Sequence, residues 1–240
     1  MQNAAFRALG MDWTYELMDV SPADLAVAVA GLRGDGVAGA NVTIPHKQAV
    51  MDQLDAVDAD AVKARAVNTI KRDGARLIGS NTDISAIRAV VDEAGVRAEG
   101  AAVVILGAGG SARAAAVALA GARCTFLSRR PDEVDVPGHV VGWDDSAAAT
   151  LTRSADILVN ATPLGRREEM PIRPGALPSA GIVIDLVYVT GGTPLVRKAR
   201  SLGLRVVDGW AILLAQGARS FETWTGRGAP LAEMRETLEP

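Results

Sequence analysis

The sequence predicts an α/β protein of two domains, the second built on a mostly parallel sheet. Three observations carry this reading. The chain has 240 residues, more than the usual size of one domain and too few for three. Between residues 3 and 80 short helical and strand-like segments alternate and end in a hairpin signal. From 103 to 208 the runs VVIL, CTFL, HVVGW, DILVN, IVIDLV and RVVD read as apolar strands buried on both faces of a parallel sheet, and helical stretches separate several of them.

The elements follow in order. NAAFRAL reads as a helix, and WTYEL as a strand with Trp13, Tyr15 and Leu17 on one face. Ser21 and Pro22 read as the opening of the next helix, a hydroxyl N-cap before a proline at the first helical position, with Leu25, Val29 and Leu32 as its apolar stripe. VAGANV reads as a buried strand. AVNTIKR and ARLIGS flank Asp73-Gly74, a dipeptide suited to a tight antiparallel turn. Ile84, Ile87, Val91 and Ala94 fall at helical spacing before Gly95, and the domain crossover is placed in that helix. In the second half the expected helices run from Ser111 to Ala120, from Pro194 to Leu202, and over WAILLAQGARSFETWT, which Gly226 ends.

Composition narrows the function. The chain is 49% hydrophobic and 22% charged, with no apolar run near the ~18 residues that span a bilayer. A net charge of -3 leaves no basic surplus for a nucleic-acid backbone. Cys124 is the only cysteine, so neither a disulfide nor a cysteine metal cluster is expected, and no metal site is read elsewhere. A polar N-terminal stretch without a signal-peptide pattern makes the expected compartment the cytoplasm.

VVILGAGGSARAAAVALA sets Gly107, Gly109 and Gly110 after a strand and before an alanine-rich helix. That is the setting of a dinucleotide fingerprint: glycine lets the turn close and brings backbone N–H groups, at a helix N-terminus, onto a pyrophosphate. Ala112 stands where a third glycine is common. At the end of the next strand, where an acid would hold the ribose of NAD, the chain reads Ser128-Arg129-Arg130. Arginine there suits the 2′-phosphate of NADP(H).

Lys47 closes GANVTIPHK, near a helix start that disfavours a cation. It is one of four lysines among 25 basic residues, which suggests that a compact, titratable ammonium was needed. Asp83 follows in GSNTD, ahead of a helix that it could N-cap. His46 and His139 are read as non-catalytic. GANVTIPHK, AVNT, GSNTD, GAGGSARA, NATPLG, DLVY with TPL, and DGWAILLAQGARSFETWTG occur in that order along nearly the whole chain. Together they resemble the shikimate dehydrogenase family.

The resemblance implies an N-terminal α/β substrate domain over residues 1–84, a Rossmann-type NADP-binding domain over 85–209, and C-terminal helices over 210–240 returning to the first. It implies NADPH-dependent reversible reduction of 3-dehydroshikimate, with Lys47 and Asp83 as the catalytic pair. Thr43, Asn68, Tyr188 and Gln216 would contact the substrate. Ala108, Ser111, Thr162 and Gly209 would join Gly107, Gly109, Gly110, Ser128, Arg129 and Arg130 around the cofactor. The partner is a small cyclic hydroxy acid, and the chain is expected as a monomer or homodimer. Arg166 after NATPLG, Thr190, and Ile84-Ser85-Ala86 after NTD depart from the family pattern. They leave quinate and aminoshikimate as alternative substrates, and the alternative from another class is a non-catalytic NADP-binding descendant. The family's usual opening strand and Ser-x-Ser-Pro segment are absent before Gln2, so the protein's own start is expected upstream of Met1.

Overall fold

A computed structural model describes residues 1–238. The chain divides into two compact units: Met1–Ala86 with Leu214–Pro240, and Ile87–Leu213. Both boundaries fall inside helices.

The first unit contains α1 (Gln2–Ala8), α2 (Leu25–Gly31), β1 (Gly39–Asn41), β2 (Ala56–Val57), α3 (Ala59–Ala64), β3 (Thr69–Asp73) and β4 (Arg76–Ser80). It also takes the start of α4 (Thr82–Glu93), most of α8 (Gly209–Thr225), and α9 (Leu231–Glu236). Its sheet has the order β1-β3-β4-β2, with β3 antiparallel to β1 and β4 and β2 parallel to β4. Asp73 pairs with Arg76, so the two loop residues are Gly74 and Ala75. Gly74 has φ +60, and the turn is of the kind that wants positive φ at its first central position. One apolar cluster packs the Leu25, Val29 and Leu32 stripe on Val67, Ile70 and Leu77. A second joins Ala5 and Phe6 of α1 to Leu214, Ala218 and Phe221 of α8 and to Met234.

Two local expectations are corrected here. WTYEL forms no strand. The Asn3 carboxamide occupies the place of a ladder partner, its Oδ1 accepting from Tyr15 N at 2.6 Å and its Nδ2 donating to Tyr15 O at 3.0 Å. One side chain satisfies one residue, not a run, so no ladder propagates. Likewise the Ser21 hydroxyl does not cap α2. It donates to Asp24 Oδ2 at 2.6 Å, and the helix begins only at Leu25, because residues 22–24 form a turn.

The second unit is a six-stranded sheet of β5 (Ala102–Leu106), β6 (Arg123–Ser128), β7 (His139–Gly142), β8 (Ile157–Asn160), β9 (Ile182–Asp185) and β10 (Arg205–Val207). All pairs are parallel, in the order β10-β9-β8-β5-β6-β7. Its helices are α5 (Gly110–Ala118), α6 (Ala148–Arg153) and α7 (Pro194–Ser201). β8 and β9 are buried at every residue, as continuous apolar runs in a covered parallel sheet require. The strand order reverses between β5 and β8, which makes their carboxyl ends the place where such a sheet takes a ligand.

Candidate active site

In the first unit the residues after β1 reach Lys47 through a turn. Its carbonyl accepts from Val67 N at 2.8 Å, which ties the turn to the approach to β3. Lys47 Nζ donates to Asp83 Oδ2 at 2.6 Å, and the two side chains are only 13% and 15% exposed. Asn68, just before β3, donates from Nδ2 to Asp83 Oδ1 at 2.9 Å. Both oxygens of Asp83 are therefore engaged, and its place in the first turn of α4 suits an anion.

Asp83 is not the cap of that helix. Asn81 Oδ1 accepts from Asp83 N at 3.1 Å and Asn68 Oδ1 from Thr82 N at 2.7 Å, so two asparagines serve the open N–H groups and leave the carboxylate to Lys47. Asn68 Oδ1 also accepts from the hydroxyls of Thr69 at 3.0 Å and Thr82 at 3.1 Å. Its orientation follows: with donors on its carbonyl side, the amide N–H₂ must face Asp83. Ser220 of α8 lies 3.0 Å from Thr69 Oγ1 and 3.2 Å from Thr82 Oγ1, accepts from Asn41 Nδ2 at 2.9 Å, and donates to Gln216 O at 3.0 Å. Thr69, Thr82 and Ser220 all sit inside the motifs named above, yet no spacing marked them as supports for Asn68.

Lys47, Asp83 and Asn68 are thus in direct contact. Gln216 is half-buried on α8, one turn before Ser220, and Thr43 is exposed with its carbonyl accepting from His46 N at 2.9 Å. His46 Nε2 lies 2.7 Å from Val20 O. Tyr188 lies in the second unit, 44% exposed, its ring 5.3 Å from that of Trp210.

In the second unit β5 ends in the glycine loop. Gly107 has φ +100, and a Cβ there would come within 3.1 Å of Thr162 Cγ2, so a side chain would be strained by the backbone and tight against Thr162. Gly109 is the N-cap of α5 and makes no side-chain cap hydrogen bond, and a Cβ at Gly109 would meet nothing within 4 Å. The helix end is uncapped and open, which fits a pyrophosphate flanked by Ala108, Gly110 and Ser111. At the end of β6, Ser128 Oγ accepts from Arg130 N at 3.1 Å. Arg130 pairs with Glu133 at 3.2 Å, while Arg129 is exposed and makes no ion pair among the described residues. A Cβ at Gly209 would strike Val187 C and O at 2.4 Å, so only glycine permits that approach.

A buried polar group lies at the ends of β8 and β9. Asp185, fully buried, accepts from Asn160 Nδ2 at 2.9 Å, Val187 N at 3.0 Å and Thr193 Oγ1 at 2.6 Å. Burial pushes its carboxyl up to about 6, against the pull of these hydrogen bonds. Among the described residues no group of acids, histidines and cysteine could hold a metal, and no helix is long and apolar enough to cross a membrane.

Known proteins resemble this chain along nearly its whole length. The family model for the shikimate dehydrogenase substrate binding domain matches residues 1–70, and that for the shikimate 5′-dehydrogenase C-terminal domain matches residues 209–239. The shikimate dehydrogenase (NADP+) of Moorella thermoacetica is 43% identical over 255 residues, covering 99% of this chain and 86% of its own. The shikimate 5-dehydrogenase of Thermus thermophilus, solved with NADP(H) and shikimate, superposes with a TM-score of 0.85 at 31% identity, over 98% of this chain and 91% of that one. The ligand-free 5-ketofructose reductase of Gluconobacter sp. strain CHM43 reaches 0.84 at 34% identity, over 99% and 91%. With a relative this similar across nearly its whole length, the chain belongs to the shikimate dehydrogenase family.

Proposed function

We infer that this chain catalyses the NADP-linked, reversible reduction of 3-dehydroshikimate to shikimate. The observation that carries the reading is the Lys47–Asp83 contact of 2.6 Å with Asn68 on the second carboxylate oxygen. An ammonium has three donors and Asp83 takes one, so Lys47 keeps two for a substrate oxygen. In the reducing direction Lys47 stabilises the charge that grows on the carbonyl oxygen and then protonates it, and in the oxidising direction the same amine takes the hydroxyl proton. Asp83 holds the amine in place. Thr43, Asn68 and Gln216 are assigned to the ring's hydroxyls, with the first unit as the substrate-binding part. NADPH, when bound, supplies the hydride.

The cofactor is assigned to the second unit: the Gly107–Ser111 backbone for the pyrophosphate, Thr162 and Gly209 beside it, and Ser128, Arg129 and Arg130 for the 2′-phosphate. The 5-ketofructose reductase likeness raises a second substrate, a keto sugar, that the same lysine chemistry could serve. Steady-state oxidation of shikimate by NADP+ tests the first reading. Lys47→Ala is expected to lower kcat/KM by about 10²- to 10⁴-fold with NADPH affinity unchanged. Turnover that survives the substitution contradicts it.

A further inference from the structure

The Asp185 carboxylate is used by no step above, yet it joins three elements. Its Oδ2 accepts from Thr193, the N-cap of α7, whose hydroxyl oxygen in turn accepts from Val196 N at 3.1 Å. Its Oδ1 accepts from Asn160 Nδ2 at the end of β8. The other half of Asn160 shapes the loop that follows. Asn160 Oδ1 accepts from Thr162 Oγ1 at 2.7 Å and Thr162 N at 3.2 Å, while Nδ2 also donates to Leu164 O at 3.0 Å. Thr162 Oγ1 then accepts from Leu164 N at 3.2 Å. Above about pH 6 Asp185 is ionised and can only accept, so the N–H₂ of Asn160 must face it and the carbonyl oxygen must face Thr162.

That orientation reaches the nucleotide loop. Gly107 packs so closely on the Thr162 methyl that an added Cβ would lie 3.1 Å from it. A flipped or released Asn160 would let Thr162 leave this position and free the wall against which Gly107 turns.

We propose that Asp185 is a positioning residue for the cofactor site, fixing the amide of Asn160 so that Thr162 is held against Gly107. This rests on the NADP-linked reading above. It goes beyond that reading by placing the control of cofactor affinity in a buried carboxylate that touches neither cofactor nor substrate.

The test is NADPH binding by fluorescence titration of the full chain at pH 8, with kcat and the KM for NADP+ alongside. Failure of the unaltered chain to bind NADPH overturns the NADP reading itself and is separate from what the variants report. Asp185→Ala is expected to raise the Kd at least tenfold and the KM for NADP+ in step, with kcat at saturating cofactor changed less than threefold. Asp185→Asn keeps an acceptor for Asn160 and is expected to stay within about fivefold of the unaltered chain. Thr193→Val removes the α7 cap but leaves the Oδ1 contact, so it should lower the unfolding midpoint and leave Kd within threefold. Unchanged affinity in Asp185→Ala, loss in Asp185→Asn equal to that in Asp185→Ala, or loss in Thr193→Val equal to that in Asp185→Ala overturns the proposal. If Asp185→Ala does not unfold cooperatively, Asn160→Asp replaces it. That variant sets a second carboxylate against Asp185, and an unaltered Kd there contradicts the proposal equally.

Discussion

At the scale of single residues the site depends on a few charge-bearing atoms whose partners leave little freedom. Asp83 holds Lys47 with one oxygen and Asn68 with the other. Asp83→Asn turns an N–H₂ group toward one of two donors and removes the charge that a partly buried ammonium needs. The kcat/KM for shikimate should fall by at least tenfold while NADPH affinity holds. Equal activity would show that the carboxylate is dispensable. Arg129 is exposed and makes no ion pair among the described residues, so its removal should cost little stability. If it meets the 2′-phosphate, Arg129→Ala loses a charge-assisted contact of about 1.5–3 kcal/mol, which raises the KM for NADP+ by about 10- to 100-fold and leaves that for NAD+ nearly unchanged.

Several of these residues were singled out in the sequence by the ordered family motifs that contain them, with residue type as a weaker sign. A lysine in an arginine-rich chain and arginines where a ribose acid would stand are departures from an ordinary surface. Asp185, Asn160, Ser220 and Thr82 were not legible as supports. A buried carboxylate and an exposed one read alike, and a serine at position 220 reveals a partner at position 69 only once α8 is folded.

At the scale of elements the central fact is how strand ends are joined to the helices after them. The ends of β8 and β9 meet the N-cap of α7 on one carboxylate. The raised pKa of that carboxyl has a sign that can be checked. The folded chain holds the Asp185 proton up to about pH 6, whereas the unfolded chain releases it near its ordinary value of 3.8. The group therefore costs nothing below pH 3.8, and stability is lost as pH rises from there through about 6. The distance between those two values corresponds to about 3 kcal/mol. The unfolding free energy of Asp185→Asn minus that of the unaltered chain should therefore grow by roughly that amount between pH 4 and pH 7, measured by urea titration. A flat difference contradicts the assignment.

Elements with a strong local signal formed as expected, such as β5 to β10, each an apolar run, and the 73–76 hairpin. WTYEL alternates like a strand but has no ladder partner, since a strand is a property of two segments and periodicity reports only one. The Ser21-Pro22 signal failed for a related reason: the serine hydroxyl donates to the Asp24 carboxylate and does not accept from the helix N–H groups it was expected to serve.

At the scale of the whole molecule Lys47 and Asp83 lie in one compact unit and the glycine loop in the other. A ligand that binds one unit should stabilise that unit by mass action. NADPH at about 100 times its Kd adds roughly 2.7 kcal/mol, and a calorimetric scan should show the second unit's transition rising by several degrees. NADH at the same concentration should raise it less, and an equal rise with both would deny Arg129 its role. The two-unit α/β plan was readable because composition, hydrophobic runs and motif order all point the same way. Substrate choice was not, because the lysine–aspartate chemistry serves any suitably placed carbonyl, and the solved relatives include both shikimate and 5-ketofructose enzymes.

The most direct test is therefore a side-by-side measurement of kcat/KM for NADP+-linked oxidation of shikimate and NADPH-linked reduction of 5-ketofructose, each repeated with Lys47→Ala. The expected result is shikimate turnover that depends on Lys47 and exceeds keto-sugar turnover by at least 100-fold. Preference for 5-ketofructose, or shikimate turnover indifferent to Lys47, would contradict the function proposed for this chain.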